Sequence, residues 1–372
     1  MTFMPLAIPD LSGDEEEYVL EAVRSSWISS TGAFVDRFER EFAGACDVSY
    51  ALSVSNGTVA LHLALLALGA GPGDEVIVPS LTYIATANAV RYVGAQPVFA
   101  DVDPATWCID PDHVAALVSP RTVGIIPVHL YGHPADMDRL REVADRHGLW
   151  IVEDAAEAPF GTYKGRPTGS LGDIATFSFY GNKVITSGEG GAVTTDNAEL
   201  ARKMRMLRGQ GMDLEQRYFF PILGYNYRLT NVACAFLCAQ MNRRDTMLEK
   251  RSALTDRYRI GLADLPEVGQ QPIAEWAQWT PWLFSILNLM DESGFDREAL
   301  IRHLDSAGIE TRPFFIPVHL MPHLAVSAGL PPLDLPHTIR LASQGLNLPT
   351  HPGMSVDDVD RVVNHICAFF RV

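Results

Sequence analysis

The sequence is short of positive charge. Its 29 Lys and Arg stand against 45 Asp and Glu, a formal net charge of −16 at pH 7. A nucleic-acid binder needs a basic face that this balance does not supply. An anionic small substrate is still compatible, because a local pocket can be basic on an acidic protein. Lysine is scarce, with Lys164, Lys183, Lys203 and Lys250 as the whole set. No apolar run approaches the length of a membrane span. The N-terminus, MTFMPLAIPD, lacks the basic stretch ahead of an apolar one that a signal peptide carries. The five cysteines (Cys46, Cys108, Cys234, Cys238 and Cys367) form no CxxC pair and no disulfide framework. They predict a reduced, cytoplasmic protein with thiols in its core, Cys234 and Cys238 lying four apart on a helix. A metal site is not expected either. His319 and His323 are four apart, but Pro317 and Pro322 forbid a regular helical pair, and no cysteine or carboxylate stands nearby. Substrate contact or loop packing are the readings left for them.

What is present is a chain of 372 residues, 47% hydrophobic, enough for one large α/β domain and a smaller one. Helices are expected over Asp14–Arg24 and Val35–Ala45. Strands are expected at Tyr50–Val54, Glu75–Pro79, Pro97–Asp101, Thr122–Leu130 and Leu149–Asp154. Between them, helices are expected at 59–68, 82–93, 110–118 and 134–147, the last with Pro134 near its start and Gly148 after its end. Repeated strand–helix units predict a mostly parallel sheet flanked by helices, with ligands at the carboxyl ends of the strands. Gly69–Asp74 resembles a dinucleotide fingerprint, but it follows a helix and precedes a strand, the reverse of what that motif requires. Asn197–Arg208 reads as a basic helix and 209–231 as an aromatic, Gly- and Asn-rich loop. The pattern changes at Asp245 to a long charged helix, a strand at Phe284–Met290, a helix at Phe295–Ala307 and a Pro/His-rich stretch from Arg312 to His323. We therefore expect a large domain over 1–245 and a small C-terminal α+β domain over 246–372, with the N-terminal segment free to pack against the latter.

Chemistry concentrates at Ala175–Gly191, ATFSFYGNKVITSGEGG. A β-type run breaks at Gly181-Asn182 and presents Lys183. Small hydroxyl residues and a Gly-rich turn follow, then a second β-type run from Ala192. A lysine beside buried surface loses proton affinity and can act as a nucleophilic amine. A plain surface lysine in a strand connection is the alternative.

A second stretch weighs on that choice. Leu149–Val152 is a continuously apolar run, as for a strand buried on both faces, and it ends in Glu153-Asp154-Ala155-Ala156-Glu157. A carboxylate at the end of a buried strand is costly without a partner. Pyridoxal phosphate supplies one: its protonated ring nitrogen pairs with an aspartate while a lysine holds its aldehyde carbon. Asp154, a strand ending near Ser178, then Lys183 has the order this cofactor requires. Ser55-Asn56-Gly57-Thr58 opens a helix that is apolar nearly all round. Its free N–H groups at Gly57 and Thr58 suit a phosphate, although an ordinary N-cap would read alike.

The combination VEDAAEA, FSFYGNK and SGEGG resembles the sugar aminotransferases of the DegT/DnrJ/EryC1/StrS family, which are fold-type I pyridoxal-phosphate enzymes. The resemblance runs over nearly the whole chain, through SNGTVALHLAL (55–65), PSLTYIATANAV (79–90), RGQGMD (208–213), LGYNYRLTN (223–231) and GIETRPFF (308–315). FYGNK, RGQGMD and GYNYRLTN together are most similar to the branch that forms GDP-perosamine. The resemblance implies a transaminase in which Lys183 carries the cofactor and moves the proton, and Asp154 keeps the ring nitrogen protonated. It implies glutamate as amino donor and GDP-4-keto-6-deoxymannose as the ketone. A 3-keto nucleotide sugar or an aminocyclitol ketone is the alternative substrate, and a cofactor-free partner protein the alternative class. Family members that are dehydratases carry histidine where this chain has Lys183. The resemblance further implies that Tyr83 stacks on the cofactor ring rather than packing in the core. It implies that Gly57, Thr58, Glu157 and Ser178 contact the cofactor, and that Asn226 reaches the cofactor phosphate of a neighbouring chain. Thr31, Tyr225, Arg312 and His319 are then the substrate contacts, and the enzyme is a homodimer with shared active sites.

Overall fold

The computed structural model describes residues 3–290, 296–324 and 333–371. Helices α1 (Glu15–Arg24) and α2 (Ala33–Ala45) precede the first strand, β1 (Tyr50–Val54). Strands and helices then alternate: α3 (Gly57–Leu68), β2 (Glu75–Pro79), α4 (Ala85–Tyr92), β3 (Gln96–Ala100), α5 (Pro111–Leu117), β4 (Thr122–Ile125), α6 (Met137–His147) and β5 (Trp150–Asp154). A short hairpin, β6 (Thr162–Tyr163) and β7 (Arg166–Pro167), leads to β8 (Ile174–Ser178), β9 (Gly191–Thr195) and α7 (Ala198–Arg208). Two nearly continuous helices follow, α8 (Asn231–Asn242) and α9 (Arg244–Gly261). The remainder holds β10 (Val268–Gln270), β11 (Ala277–Gln278), β12 (Phe284–Asn288), α10 (Arg297–Ser306), β13 (Arg312–Pro313), α11 (Pro336–Gln344), β14 (Gly345–Leu348) and α12 (Val356–Phe370).

Seven strands form the main sheet in the order β1-β9-β8-β5-β4-β2-β3. All pairings are parallel except those of β9, which runs antiparallel to both β1 and β8. The expected mostly parallel α/β sheet is thus the observed one. Helix α3 crosses it with Ala60 to Leu65 and Ala67 buried, as its unbroken apolar sequence requires. Each buried leucine there contributes roughly 1.5–3 kcal/mol. A second, antiparallel sheet, β10-β12-β14-β13, carries its own apolar cluster from Leu254 to Phe369, which Met4 joins. The N-terminal segment is bound to this part: Met4 N–H donates to Gly308 O at 2.8 Å and Leu6 N–H to Glu310 Oε2 at 2.8 Å. The third sheet, β11-β6-β7, is small.

Several boundaries differ from expectation for local reasons. The strand expected over Thr122–Leu130 stops at Ile125, because Pro127 has no N–H to continue the ladder. The Pro127 carbonyl still accepts from Asp154 N–H at 2.9 Å, and the chain turns through Leu130–Gly132 with Tyr131 at φ 51°. The helix expected from Pro134 begins at Met137, where the Asp136 carboxylate caps it by accepting from Arg139 N–H. The helix expected from 82 begins at Ala85. Asp14 stands at the N-cap of α1 without a side-chain cap bond. The helix expected from Phe295 begins at Arg297, capped by Asp296; Phe295 lies outside the described residues. Helix α8, expected only around Cys234 and Cys238, is three turns long with both thiols buried. All five cysteines are free, and no helix among the described residues is long and apolar enough to cross a membrane.

Candidate active site

Strands β1, β2, β5 and β8 end on one edge of the main sheet, and the residues just past those ends surround a cavity of about 550 Å³. Asn56, Gly57 and Thr58 come from the start of α3, Thr82 and Tyr83 from the turn after β2, Asp154 and Glu157 from the end of β5, and Ser178 from the end of β8. Lys183 enters from the turn after β8. Trp282, Arg312 and Phe315 close the cavity from the C-terminal part.

Lys183 is buried, and burial lowers its proton affinity; Glu157 and Asp154 oppose that fall and Arg312 adds to it. Its Nζ lies 3.8 Å from Glu157 Oε1 and 3.9 Å from the centre of the Trp282 ring. The other three lysines are committed elsewhere: Lys164 to Asp138 at 2.7 Å, Lys203 to the Ala67 carbonyl at 2.7 Å, and Lys250 to Asp10 at 3.6 Å.

Asp154 is 6% exposed and makes no salt bridge among the described residues. Its Oδ2 accepts from Thr86 Oγ1 at 2.8 Å and its Oδ1 from Ala156 N–H at 3.3 Å. Burial pushes its carboxyl above the ordinary value, against these two hydrogen bonds and the nearby Lys183. A buried carboxylate that faces a cavity and has no salt-bridge partner among the described residues suits a protonated ring nitrogen. At another part of the lining, the Asn56 side chain caps α3 by accepting from Val59 N–H at 3.0 Å, and Gly57 sits against Ser178. A Cβ on Gly57 would come within 2.9 Å of Ser178 Cβ, so only glycine permits this approach of helix and strand. A helix start with a hydroxyl beside it is a phosphate cradle. The residues present therefore fit pyridoxal phosphate.

Glu157 accepts from Tyr131 N–H at 2.8 Å. Burial, the largest influence, pushes its carboxyl up to about 7, against the neighbouring Lys183 ammonium and that N–H. A carboxyl that binds its proton more tightly when folded stabilises the fold below its unfolded value, near 4.5, and that stability is lost as pH rises through about 7. Glu157→Gln removes the loss. Relative to the parent, the cofactor-free variant should gain on the order of 1–3 kcal/mol between about pH 5 and about pH 7.5. Calorimetric Tm values at the two pH values check this, and parallel Tm shifts in both proteins would contradict it.

Eight of the residues singled out in the sequence meet at this cavity: Gly57, Thr58, Tyr83, Asp154, Glu157, Ser178, Lys183 and Arg312. Tyr83 is 59% exposed with its ring 5.8 Å from Phe315, so it is not a core residue. Arg312 lies on β13, and among the described residues its guanidinium makes no hydrogen bond or ion pair. The structure places four others away from the lining. Thr31 is exposed in a loop fixed by Asn231, which donates to the Ser29 and Trp27 carbonyls. Tyr225 stacks on Tyr227 at 4.9 Å, and exposed Asn226 accepts from Arg228. His319 is tied to Ser80 Oγ at 2.5 Å and His323 to Asn88 at 2.9 Å, which is the loop-packing geometry. Sequence reasoning missed Trp282, Thr86 and Phe315. Thr86 stands within the quoted TYIATANAV motif, four residues after Thr82, and Phe315 ends the quoted GIETRPFF motif, three residues after Arg312; Trp282 carries no local signal.

The family model of the DegT/DnrJ/EryC1/StrS aminotransferase family matches residues 9–367. The GDP-perosamine synthase of Caulobacter vibrioides is 50% identical over 362 residues, covering 96% of each chain. That of Escherichia coli O157:H7 is 42% identical over 370 residues, covering 100% of this chain and 99% of its own. The crystal structure of S. venezuelae DesV in complex with a ketimine intermediate superposes with a TM-score of 0.90 at 41% identity, covering 96% of this chain and 95% of that one.

Proposed function

Because the chain belongs to the DegT/DnrJ/EryC1/StrS aminotransferase family and is a sugar aminotransferase, we propose that it aminates GDP-4-keto-6-deoxymannose to GDP-perosamine, with glutamate as donor. Aminotransferases of this family depend on pyridoxal phosphate, and we place the cofactor in the cavity at the carboxyl strand ends. The observation that carries this reading is a buried lysine whose proton affinity is lowered by burial, sharing one cavity with a buried carboxylate that has no salt bridge. When bound, pyridoxal phosphate supplies an electrophilic carbon for amines and a sink for carbanion charge.

The chain's own residues divide the work. Gly57 and Thr58 N–H groups and the Ser178 hydroxyl hold the phosphate, and the exposed Tyr83 ring offers a face for stacking. Asp154 keeps a ring nitrogen protonated. Lys183, desolvated and flanked by Glu157, takes up the proton lost from the donor's α-carbon in one half-reaction and supplies a proton to the sugar carbon that is aminated in the other. The uncommitted Arg312 guanidinium meets a substrate carboxylate or diphosphate.

We also assign the enzyme to a homodimer in which Asn226 serves the neighbouring chain's cofactor phosphate, with Tyr225 beside the nucleotide sugar and Thr31 near the sugar. Exposed apolar side chains around that segment support it: Tyr218 and Leu223 are 72% and 83% exposed, and Trp27 is 61% exposed. We place the boundary between a cofactor-binding part and a smaller part at residue 245, beside the break between α8 and α9 at Arg243.

The direct test supplies GDP-4-keto-6-deoxymannose, and separately its 3-keto isomer, with glutamate and pyridoxal phosphate. Product mass and NMR should show a 4-amino sugar from the first only. Amination of the 3-keto isomer alone would move the assignment to the alternative substrate. Run on exchanged mixtures of Lys183→Ala and Asn226→Ala chains, the same assay should recover activity in mixed dimers. No recovery despite proven exchange would refute the shared site.

A further inference from the structure

Trp282 immediately precedes β12 by two residues and is 2% exposed, yet its ring borders the cavity. Three contacts fix it. Its Nε1–H donates to the carbonyl of Asn182 at 2.7 Å, the residue directly before the lysine. Its ring centre lies 3.9 Å from Lys183 Nζ. Its own carbonyl accepts at 2.8 Å from Nη1 of Arg251, a buried arginine that also donates to the Thr350 carbonyl at 2.9 Å. The Tyr131 ring lies nearly parallel to the indole, 24° away in plane and 6.4 Å between centres. None of this was legible in the sequence, where TPWLFSIL reads only as the approach to a strand.

We propose that Trp282 is a positioning residue for the reactive amine: its indole face and the Glu157 carboxylate form a two-walled seat for the free Lys183 side chain, and its indole N–H holds the turn that presents the lysine. The inference deepens the transaminase reading and rests on it for the use made of the lysine. The physical case starts from desolvation. A lysine leaving water needs compensation, and an indole face gives a desolvated cation part of it. Glu157 and Asp154 favour the charged amine from the β5 end, while Arg312 on β13 opposes it. Glu157 alone, at 3.8 Å, restrains the amine from one side only. Trp282 adds the second wall without adding a charge, so the amine is held in place but remains able to give up its proton. Both functions arrive on one rigid group. The C-terminal sheet thereby orients a side chain that belongs to the main sheet's edge.

The test reads the amine itself in the cofactor-free protein. With only four lysines in the chain, labelling with 13Cε-lysine gives few signals, and the one missing in Lys183→Met is that of Lys183. The pH titration of this signal reports how well the charged amine is held. Replacing the tryptophans by 5-fluoro- and then 5,6,7-trifluorotryptophan weakens the indole face stepwise while keeping shape and N–H. The Lys183 titration should move down stepwise, by about one pH unit in total. Trp282→Leu should move it down by a similar amount, and Trp282→Phe, which keeps a ring face but no N–H, by only a few tenths of a unit. An unchanged titration across the fluorinated series overturns the proposal, whether or not the Leu variant folds. Failure of the transaminase reading would appear separately, as no cofactor fixed to Lys183 by borohydride.

Discussion

Lys183→Ala protein should fold normally and lose transamination by at least about four orders of magnitude. The side chain removed is the one lysine inside the cavity, and the other three are tied to Asp138, the Ala67 carbonyl and Asp10 outside it. No neighbouring amine can therefore take over. The fold survives because little depends on the amine. Its ion-pair partner Glu157 is 3.8 Å away and sits at about 7, so it can remain protonated near neutral pH once the lysine is gone. Peptide mapping after borohydride treatment of cofactor-loaded parent enzyme should find the pyridoxyl label on the Lys183 peptide alone. A label on Lys164, Lys203 or Lys250, or a variant with measurable turnover, would remove Lys183 from its role. Circular dichroism and Tm of the variant separate a chemical loss from an unfolded chain.

What could be read from the sequence, and what could not, follows from the range of the forces involved. Strands buried on both faces are continuous apolar runs, and Tyr50–Val54 and Glu75–Pro79 stand where that pattern puts them. Lys183, Asp154 and Gly57 were visible because strand ends concentrate polar residues against an apolar background. Local rules misjudged the strand at Thr122, where Pro127 ends the ladder two residues after Ile125. The short strands β10, β11 and β13 have two or three residues each, too few for a period to register. Trp282 escaped notice for a different reason: its place beside the lysine is set by the packing of the C-terminal sheet, more than 90 residues along the chain. Thr86 was within sight of the motif, but its bond to Asp154 spans 68 residues. Asn226, Tyr225 and Thr31, named through the resemblance, stand off the cavity of their own chain.

Asp154→Asn should reduce turnover by about 10²–10³ while leaving cofactor content within about twofold of the parent. The two effects separate because they depend on different parts of the cavity. The phosphate cradle at Gly57, Thr58 and Ser178 is built by α3 and β8 and is untouched by the substitution. Asparagine also keeps the shape at the end of β5, and its amide oxygen can still accept from Thr86 Oγ1, as Asp154 does at 2.8 Å. What it loses is negative charge. In the parent, burial raises the Asp154 carboxyl above its ordinary value, and the cavity offers it no salt bridge. A protonated ring nitrogen placed against it would restore the charged form, and by the same coupling the carboxylate would keep that nitrogen protonated. A neutral amide cannot, so the ring's capacity to take up carbanion charge falls while the grip on the phosphate remains. Turnover with glutamate and the keto sugar gives the first quantity, and cofactor released by alkali, measured by absorbance, gives the second. Near-parent turnover would take Asp154 out of the chemistry. Loss of cofactor in step with activity would reduce it to a binding residue.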